Sequence, residues 1–160
     1  MNIRVYRIRE EARLPERAHK TDAGMDLFYN PDKDKQVYPA CLIKADGSYV
    51  LAPGASCLLP TGIKVEVPRS CMLEVKNKSG IASKRQLLVG ACVIDSGYNG
   101  EVFVNLHNIG QETQIIEPRQ KIAQAVLVPI IQCSVEEVYE DDLNQDSLRQ
   151  TGGFGSTGLM

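Results

Sequence analysis

The residues best suited to chemistry fall in four stretches of the 160-residue chain. Between the apolar run Leu87 to Val89 and the strand that starts at Glu101, one carboxylate, Asp95, follows the apolar residues Val93 and Ile94 and precedes the aromatic Tyr98 by three positions. Alone it reads as a turn Asp bonding its own backbone. Lys76-Asn77-Lys78-Ser79-Gly80-Ile81-Ala82-Ser83-Lys84 reads as a basic helix start with Ser79 as N-cap. The same geometry presents free backbone N–H groups and a positive dipole end to an anion, with Lys78 beside them. In Asp22-Ala23-Gly24-Met25-Asp26-Leu27, Gly24 permits an unusual backbone angle and Asp26 can cap or turn the chain. Near the C-terminus, Phe154 stands among glycines beside Ser156 and Thr157 and after Arg149. That composition is a flexible tail, yet it can fold over a nucleotide: an aromatic to stack on a base, N–H groups and hydroxyls to face phosphate, a guanidinium to clamp it.

The elements that must position these residues are short strands. Glycine, proline and β-rich runs dominate, and helical periodicity is nearly absent. Val5 to Ile8, Val37-Tyr38, Leu42-Ile43, Tyr49 to Leu51, Ala55 to Leu59, Gly62 to Val67, Met72 to Val75 and Ile122 to Ile131 read as strands. Their punctuation by Pro39, the Asp46-Gly47 turn, Pro53, Pro60 and Pro68 predicts an all-β sandwich or barrel. One short helix is predicted, from Ser79 to about Gln86. Leu87 to Val89 and Glu101 to His107 read as the two strands of a hairpin around Asp95. In the second, Val102, Val104 and Leu106 point one way and Phe103, Asn105 and His107 the other.

The totals exclude several classes. A formal charge of −2 gives no electrostatic case for nucleic-acid binding. No apolar run approaches the roughly 20 residues that span a bilayer, and Met1 to Arg9 lacks a signal-peptide core, so a cytoplasmic protein is expected (or nuclear, in a host with a nucleus). Cys41, Cys57, Cys71, Cys92 and Cys133 are scattered and odd in number; they read as buried free thiols rather than a disulfide framework or zinc site. His19 and His107 stand apart from each other and from the cysteines.

The four stretches, with a fifth at Pro118 to Gln124, resemble in order the five motifs of the trimeric dUTP pyrophosphatases (dUTPases). Asp22 to Leu27 is similar to Ala-Gly-Tyr-Asp-Leu, with Met25 in place of the aromatic; Lys78-Ser79-Gly80-Ile81-Ala82 to Arg/Lys-Ser-Gly-x-Ala. Val93-Ile94-Asp95-x-x-Tyr98-x-Gly100-Glu101 looks like the third motif, with Cys92 where many members carry glycine. Arg119-Gln120-Lys121-Ile122-Ala123-Gln124 is similar to Gly-Asp-Arg-Ile-Ala-Gln, with Arg119-Gln120 replacing the Gly-Asp pair, and Thr151 to Gly158 resembles the glycine-rich lid.

The resemblance implies a jelly-roll-type β-sandwich, a homotrimer with sites at subunit interfaces, and hydrolysis of dUTP to dUMP and pyrophosphate. It implies that Asp95 orients the attacking water and that Asp26 meets the waters of a triphosphate-held Mg²⁺. Val93, Ile94 and Tyr98 would take uracil and deoxyribose. Lys78, Ser79, Gly80 and Gln124 would contact phosphate, and Arg149, Phe154, Gly155, Ser156 and Thr157 would form the lid. Two alternatives stay open: a dCTP deaminase relative, whose reaction needs a glutamate base near the pyrimidine, and a dUTPase-like scaffold acting mainly as a protein-binding regulatory module. Residues 1–138 are expected to form the β domain and 139–160 an acidic connector and flexible lid. Within the first, residues 30–50 are expected to form an extra β-hairpin arm packed on their own subunit.

Overall fold

A computed structural model describes residues 2–32 and 42–143 of the chain. The expected strand at Val37-Tyr38, Cys41 and the whole lid motif from Arg149 to Gly158 lie outside the described residues.

The first of two compact units runs from Met1 to Ile130. Its elements are β1 (Arg4–Arg7), β2 (Met25–Phe28), β3 (Leu42–Ile43), β4 (Tyr49–Leu51), β5 (Ser56–Pro60), β6 (Ile63–Glu66), β7 (Cys71–Lys76), α1 (Ser79–Arg85), β8 (Leu87–Val89), β9 (Val93–Ile94), β10 (Phe103–Asn108), β11 (Gln114–Ile116) and β12 (Lys121–Pro129). The chain is thus mostly β with one short α-helix among the described residues, as the punctuation of its sequence predicts. They form small sheets ordered β1-β6, β5-β10-β8, β11-β4-β3 and β2-β12-β7-β9. Alternation does the sorting: Val102, Val104 and Leu106 are buried while Phe103, Asn105 and His107 are half-exposed. Their partners in the core include Leu27, Leu59, Leu73 and Ile122, each essentially inaccessible to solvent. Burying a side chain of this size contributes about 1.5–3 kcal/mol.

Two short elements escape a periodicity reading. β2 (Met25–Phe28) is buried on both faces, so it shows no alternation. β11 (Gln114–Ile116) is three residues long and owes its conformation to pairing with β4.

β3 and β4 form a tight antiparallel pair around Asp46-Gly47, where Ser48 N donates to Asp46 Oδ1 at 2.9 Å and Gly47 takes φ +86°. Tyr29 holds this hairpin down: its hydroxyl donates to Gly47 O at 2.7 Å and its ring meets Tyr49 edge-on at 4.9 Å. Residues 33–41 of the arm lie outside the described residues.

Three expectations need correction. Ser79 does not cap α1; the cap position is Lys78, without a side-chain hydrogen bond, and Ser79 is the first helical residue. The cysteines divide by position: Cys57 and Cys71 are buried, but Cys92 and Cys133 are exposed, all four as free thiols. The simple hairpin around Asp95 is interrupted. β8 and β10 do pair, Leu106 with Val89 and Asn108 with Leu87. The residues between them leave that sheet, and β9 joins β7 instead, Ile94 opposite Leu73 and Val93 opposite Glu74. The connection therefore bridges two sheets, and a gap opens between them.

The second unit begins at Ile131. Its described part is exposed throughout and, apart from a single 3₁₀ turn at Glu140–Asp142, has no regular structure. Ile131 and Val135 are each 96% exposed, which is unusual for branched aliphatic side chains. No helix among the described residues is long and apolar enough to cross a membrane.

Candidate active site

The gap left by the departure of β9 is a cleft of about 300 Å³, lined by Cys92, Val93, Ile94, Asp95, Tyr98 and Phe103 among others. β9 lies at the edge of its sheet, with β7 on one side and no strand on the other. An edge strand carries backbone donors and acceptors that the sheet does not use. Such a strand can read the polar edge of a planar ring through main chain alone. Cys92 is among the residues that line this cleft and is exposed.

Asp95 follows β9 immediately. Its carbonyl accepts the turn bond from Tyr98 N at 3.1 Å, while its carboxylate is exposed and carries no hydrogen bond or ion pair among the described residues. Tyr98 closes the cleft on the other side. Its ring lies so close to Gly100 that a Cβ there would fall 2.3 Å from the hydroxyl oxygen, and that hydroxyl donates to Glu101 O at 2.8 Å. The start of the connection is pinned as well. Asn105 Nδ2 donates to Cys57 O at 3.1 Å, which turns Oδ1 toward Gly90 and His107 Nε2, the latter at 2.8 Å. A Cβ at Gly90 would meet that oxygen at 2.1 Å, so only glycine lets the chain pass.

A second cluster sits on the sheet β2-β12-β7. Gln124 stands opposite Asp26 on one side and Lys76 on the other. Strict alternation would send Lys121 and Gln124 to opposite faces. The register shifts between Lys121 and Ala123, so Lys121 stands opposite Phe28 and Gln124 opposite Asp26, two residues apart on the partner strand. A bulge thus returns Lys121 to the face of Asp26. Asp26 is 4% exposed and lies between two ammonium groups, Lys78 Nζ 2.6 Å from Oδ1 and Lys121 Nζ 2.6 Å from Oδ2. Burial pushes its carboxyl upward, but the bonds and charges of Lys121 and Lys78 outweigh that and hold it below its ordinary 3.8. Gln124 Nε2 donates to Asn77 O at 2.9 Å, and Gln124 fills the space beside Gly24, where a Cβ would fall 2.1 Å from Oε1. Ser79 and Gly80 follow Lys78 and are exposed.

The expected residues therefore form two groups: Val93, Ile94, Asp95 and Tyr98 in the cleft, and Asp26, Lys78 and Gln124 with Ser79 and Gly80 nearby. They flank β7 on opposite sides, since β7 pairs with β9 along one edge and β12 along the other. No hydrogen bond or ion pair among the described residues joins Asp95 to Asp26 or Lys78. Lys121 and Asn77 both lie inside motif stretches, but no sequence pattern marks them: Lys121 reaches Asp26 through the bulge in β12, and the role of Asn77 depends on where Gln124 lands.

For a metal, no group of three His, Cys, Asp or Glu among the described residues could hold an ion by direct ligation. Asp26 Oδ2 is buried, and the Lys121 ammonium 2.6 Å away is the one group that meets it among the described residues. A carboxylate oxygen with spare acceptor capacity fits a water held by Mg²⁺, which keeps its waters and prefers phosphate oxygens.

The described residues thus present an edge-strand cleft with a carboxylate at its mouth and, across β7, a sheet face that carries two lysines on a buried aspartate, within a mostly β fold. The chain matches the dUTPase family model over residues 10–158. It is 39% identical over 160 residues to the deoxyuridine 5'-triphosphate nucleotidohydrolase of Alkaliphilus metalliredigens, covering 99% of this chain and 98% of that protein. Among solved structures it resembles the Staphylococcus bacteriophage 80alpha dUTPase with dUPNHPP, with a TM-score of 0.76 and 27% identity over 99% of both chains. A phage phi11 dUTPase of S. aureus, described for its coordination of a structural Mg(II) ion, gives 0.73 and 26% over 88% of this chain and 98% of that one. The chain belongs to the dUTPase family and is an enzyme of the dUTP diphosphatase kind.

Proposed function

We propose that the protein hydrolyses dUTP to dUMP and pyrophosphate, which supplies dUMP and keeps uracil out of DNA. The observation that carries this reading is the cleft beside β9, where unpaired edge backbone, Tyr98 and the uncommitted carboxylate of Asp95 converge. Uracil enters the cleft and pairs with main-chain groups of β9. Cytosine would leave buried polar groups unmatched, and thymine's methyl group would have no room. Tyr98 lies against deoxyribose and obstructs a 2′-hydroxyl.

Asp95 accepts a hydrogen bond from a water and aims its oxygen at the α-phosphorus. A bond forms from the water oxygen to phosphorus as its proton passes to the Asp95 carboxylate, the bond from phosphorus to the α,β-bridging oxygen breaks, and pyrophosphate leaves with that oxygen. Lys78, Ser79, Gly80 and Gln124 hold the phosphates, with Lys121 beside them, so that the protein's contribution is positioning and electrostatics. Mg²⁺, when bound to the triphosphate, supplies positive charge against the phosphate oxygens, and Asp26 meets it through water. Arg149, Phe154, Gly155, Ser156 and Thr157 close over the nucleotide as a lid.

The separation of the two clusters across β7 supports sites completed by neighbouring chains in a homotrimer. The bare aliphatic side chains of Ile131 and Val135 support the same assembly. A cytoplasmic location accords with the sequence. Pyrophosphate release measured with dUTP, dCTP, dTTP and UTP tests the reading. It predicts turnover of dUTP at least about a hundredfold above the others; equal turnover of dCTP or dTTP would overturn it.

A further inference from the structure

Behind Tyr98 lies an ionic cluster that the reaction does not consume. Glu101 is 5% exposed, and its carboxylate accepts Gly62 N at 2.8 Å and is gripped by both terminal nitrogens of Arg9, Nη1 at 3.3 Å and Nη2 closer. The rest of the guanidinium is equally engaged. Nε donates to Asn30 Oδ1 at 2.5 Å, Nη2 to Asn30 O at 3.1 Å, and Nη1 to Asp32 Oδ2 at 3.0 Å. These bonds match the guanidinium's full donor capacity. Gly62, at φ +75°, fits beneath: a Cβ there would meet Asn30 Oδ1 at 2.5 Å.

Such a cluster is a poor device for stability. Desolvating the charges cancels most of what their attraction returns, and apolar replacements of a buried pair are often neutral. What it does provide is a fixed geometry. The residue it fixes, Glu101, is the one whose carbonyl receives the Tyr98 hydroxyl at 2.8 Å, and Glu101 itself borders the cleft. On the far side of that carbonyl, Val102 is tied to Ile63 O at 2.9 Å and to Thr61 Oγ1 at 2.6 Å, so the segment is held from both the backbone and the side-chain direction.

We propose that Arg9 and Glu101 are positioning residues for sugar selection: they set the angle at which Tyr98 stands over the cleft, and through it the rejection of ribonucleotides. The proposal rests on the dUTPase reading above and deepens it. Tyr98 meets the sugar, while Arg9 acts only through Glu101 and lies outside the reacting groups. The device couples three separate segments: the chain after β1, the start of the 30–50 region at Asp32, and the end of the substrate connection.

The test compares kcat/KM for dUTP and UTP in Glu101→Gln, Arg9→Lys and the double variant Arg9→Met/Glu101→Gln. Glutamine keeps the acceptor for Gly62 N, and the double variant removes the Arg9–Glu101 charge pair but also takes the Arg9 partner from Asp32, so thermal unfolding is measured on every variant. The ratio of the two kcat/KM values should fall about tenfold in Glu101→Gln and in the double variant. The change should appear as a raised KM for dUTP together with a gain on UTP. Arg9→Lys keeps the charge without the fork and should lower the ratio by less than the other two variants. A ratio unchanged within about twofold, with or without a loss of thermal stability or an equal loss on both substrates, overturns the proposal. A wild-type protein with no preference for dUTP would instead overturn the functional reading on which it rests.

Discussion

Gly24→Ala adds one methyl group to a residue without a catalytic atom, yet the geometry of β2 and β12 makes it a test of the phosphate-binding face. The new Cβ would lie 2.1 Å from Gln124 Oε1, 2.8 Å from Cδ and 3.2 Å from Cβ. The first two contacts can be relieved by rotating the Gln124 side chain; the third involves an atom fixed to the backbone of β12 and needs a small strand shift. Rotation breaks the 2.9 Å bond from Gln124 Nε2 to Asn77 O. Losing that bond costs about 1 kcal/mol and the displaced rotamer about 1 more, roughly 2 kcal/mol in all. A chain of this length should then melt about 4–8 °C lower. Displacing a phosphate contact by about an ångström should reduce kcat/KM for dUTP roughly tenfold to a hundredfold. The assays are thermal unfolding and pyrophosphate release, run also on Gln124→Ala and on the double variant. If the methyl group acts through Gln124, the double variant should match Gln124→Ala alone. Full activity in Gly24→Ala, or losses that simply add, would refute the reasoning.

Two other substitutions probe strain and charge. Arg119 has φ +66°, where the family pattern places glycine, and its N–H bonds Tyr29 O at 2.7 Å. Arg119→Gly relieves about 1–2 kcal/mol of left-handed strain and adds about 0.5–1 kcal/mol of chain entropy to be lost. Thermal unfolding should therefore rise by about 2 °C, and an unchanged or lower midpoint would contradict the strain argument. Asp26→Asn should destabilise the protein near neutral pH by about 1–2 kcal/mol, a figure kept low because Lys78 and Lys121 are 30% and 40% exposed. The folded-state value of Asp26 lies below its ordinary 3.8, so its contribution is complete above that pH and disappears as pH falls through the lower value. Denaturant titrations should show the gap between wild type and variant closing only below about pH 3.8; a gap that closes on the alkaline side would refute the assignment.

Much of this was legible in the sequence because it depends on local pattern. The alternation of Val102, Val104 and Leu106 gave the inward face of β10, and the residues after Lys78 gave the one α-helix among the described residues. The Asp46-Gly47 turn gave a hairpin that the Tyr29 hydroxyl then anchors. Other features depend on pairing between distant segments. That β9 abandons β8 and β10 for β7 is decided by Leu73 and Glu74, some twenty residues earlier, and no periodicity in Val93-Ile94 announces it. The bulge that puts Lys121 beside Asp26 inverts what alternation predicts for Lys121 and Gln124. Cys92 looks like a core thiol by composition, but the gap between two sheets leaves it exposed. Arg9 and Glu101 are ninety-two residues apart, and only the fold reveals that one fills the other's donors.

The most direct measurement is the turnover and binding of dUTP by Asp95→Asn. Asparagine keeps the size of the side chain and one acceptor oxygen, and it removes the negative charge at the mouth of the cleft. Among the described residues the Asp95 carboxylate makes no hydrogen bond or ion pair, so folding should be little affected. Single-turnover pyrophosphate release should fall by at least about a thousandfold, while the Kd for a non-hydrolysable dUTP analogue changes by less than about fivefold. Wild-type turnover in a folded Asp95→Asn protein would contradict the assignment of Asp95 as the group that orients the attacking water.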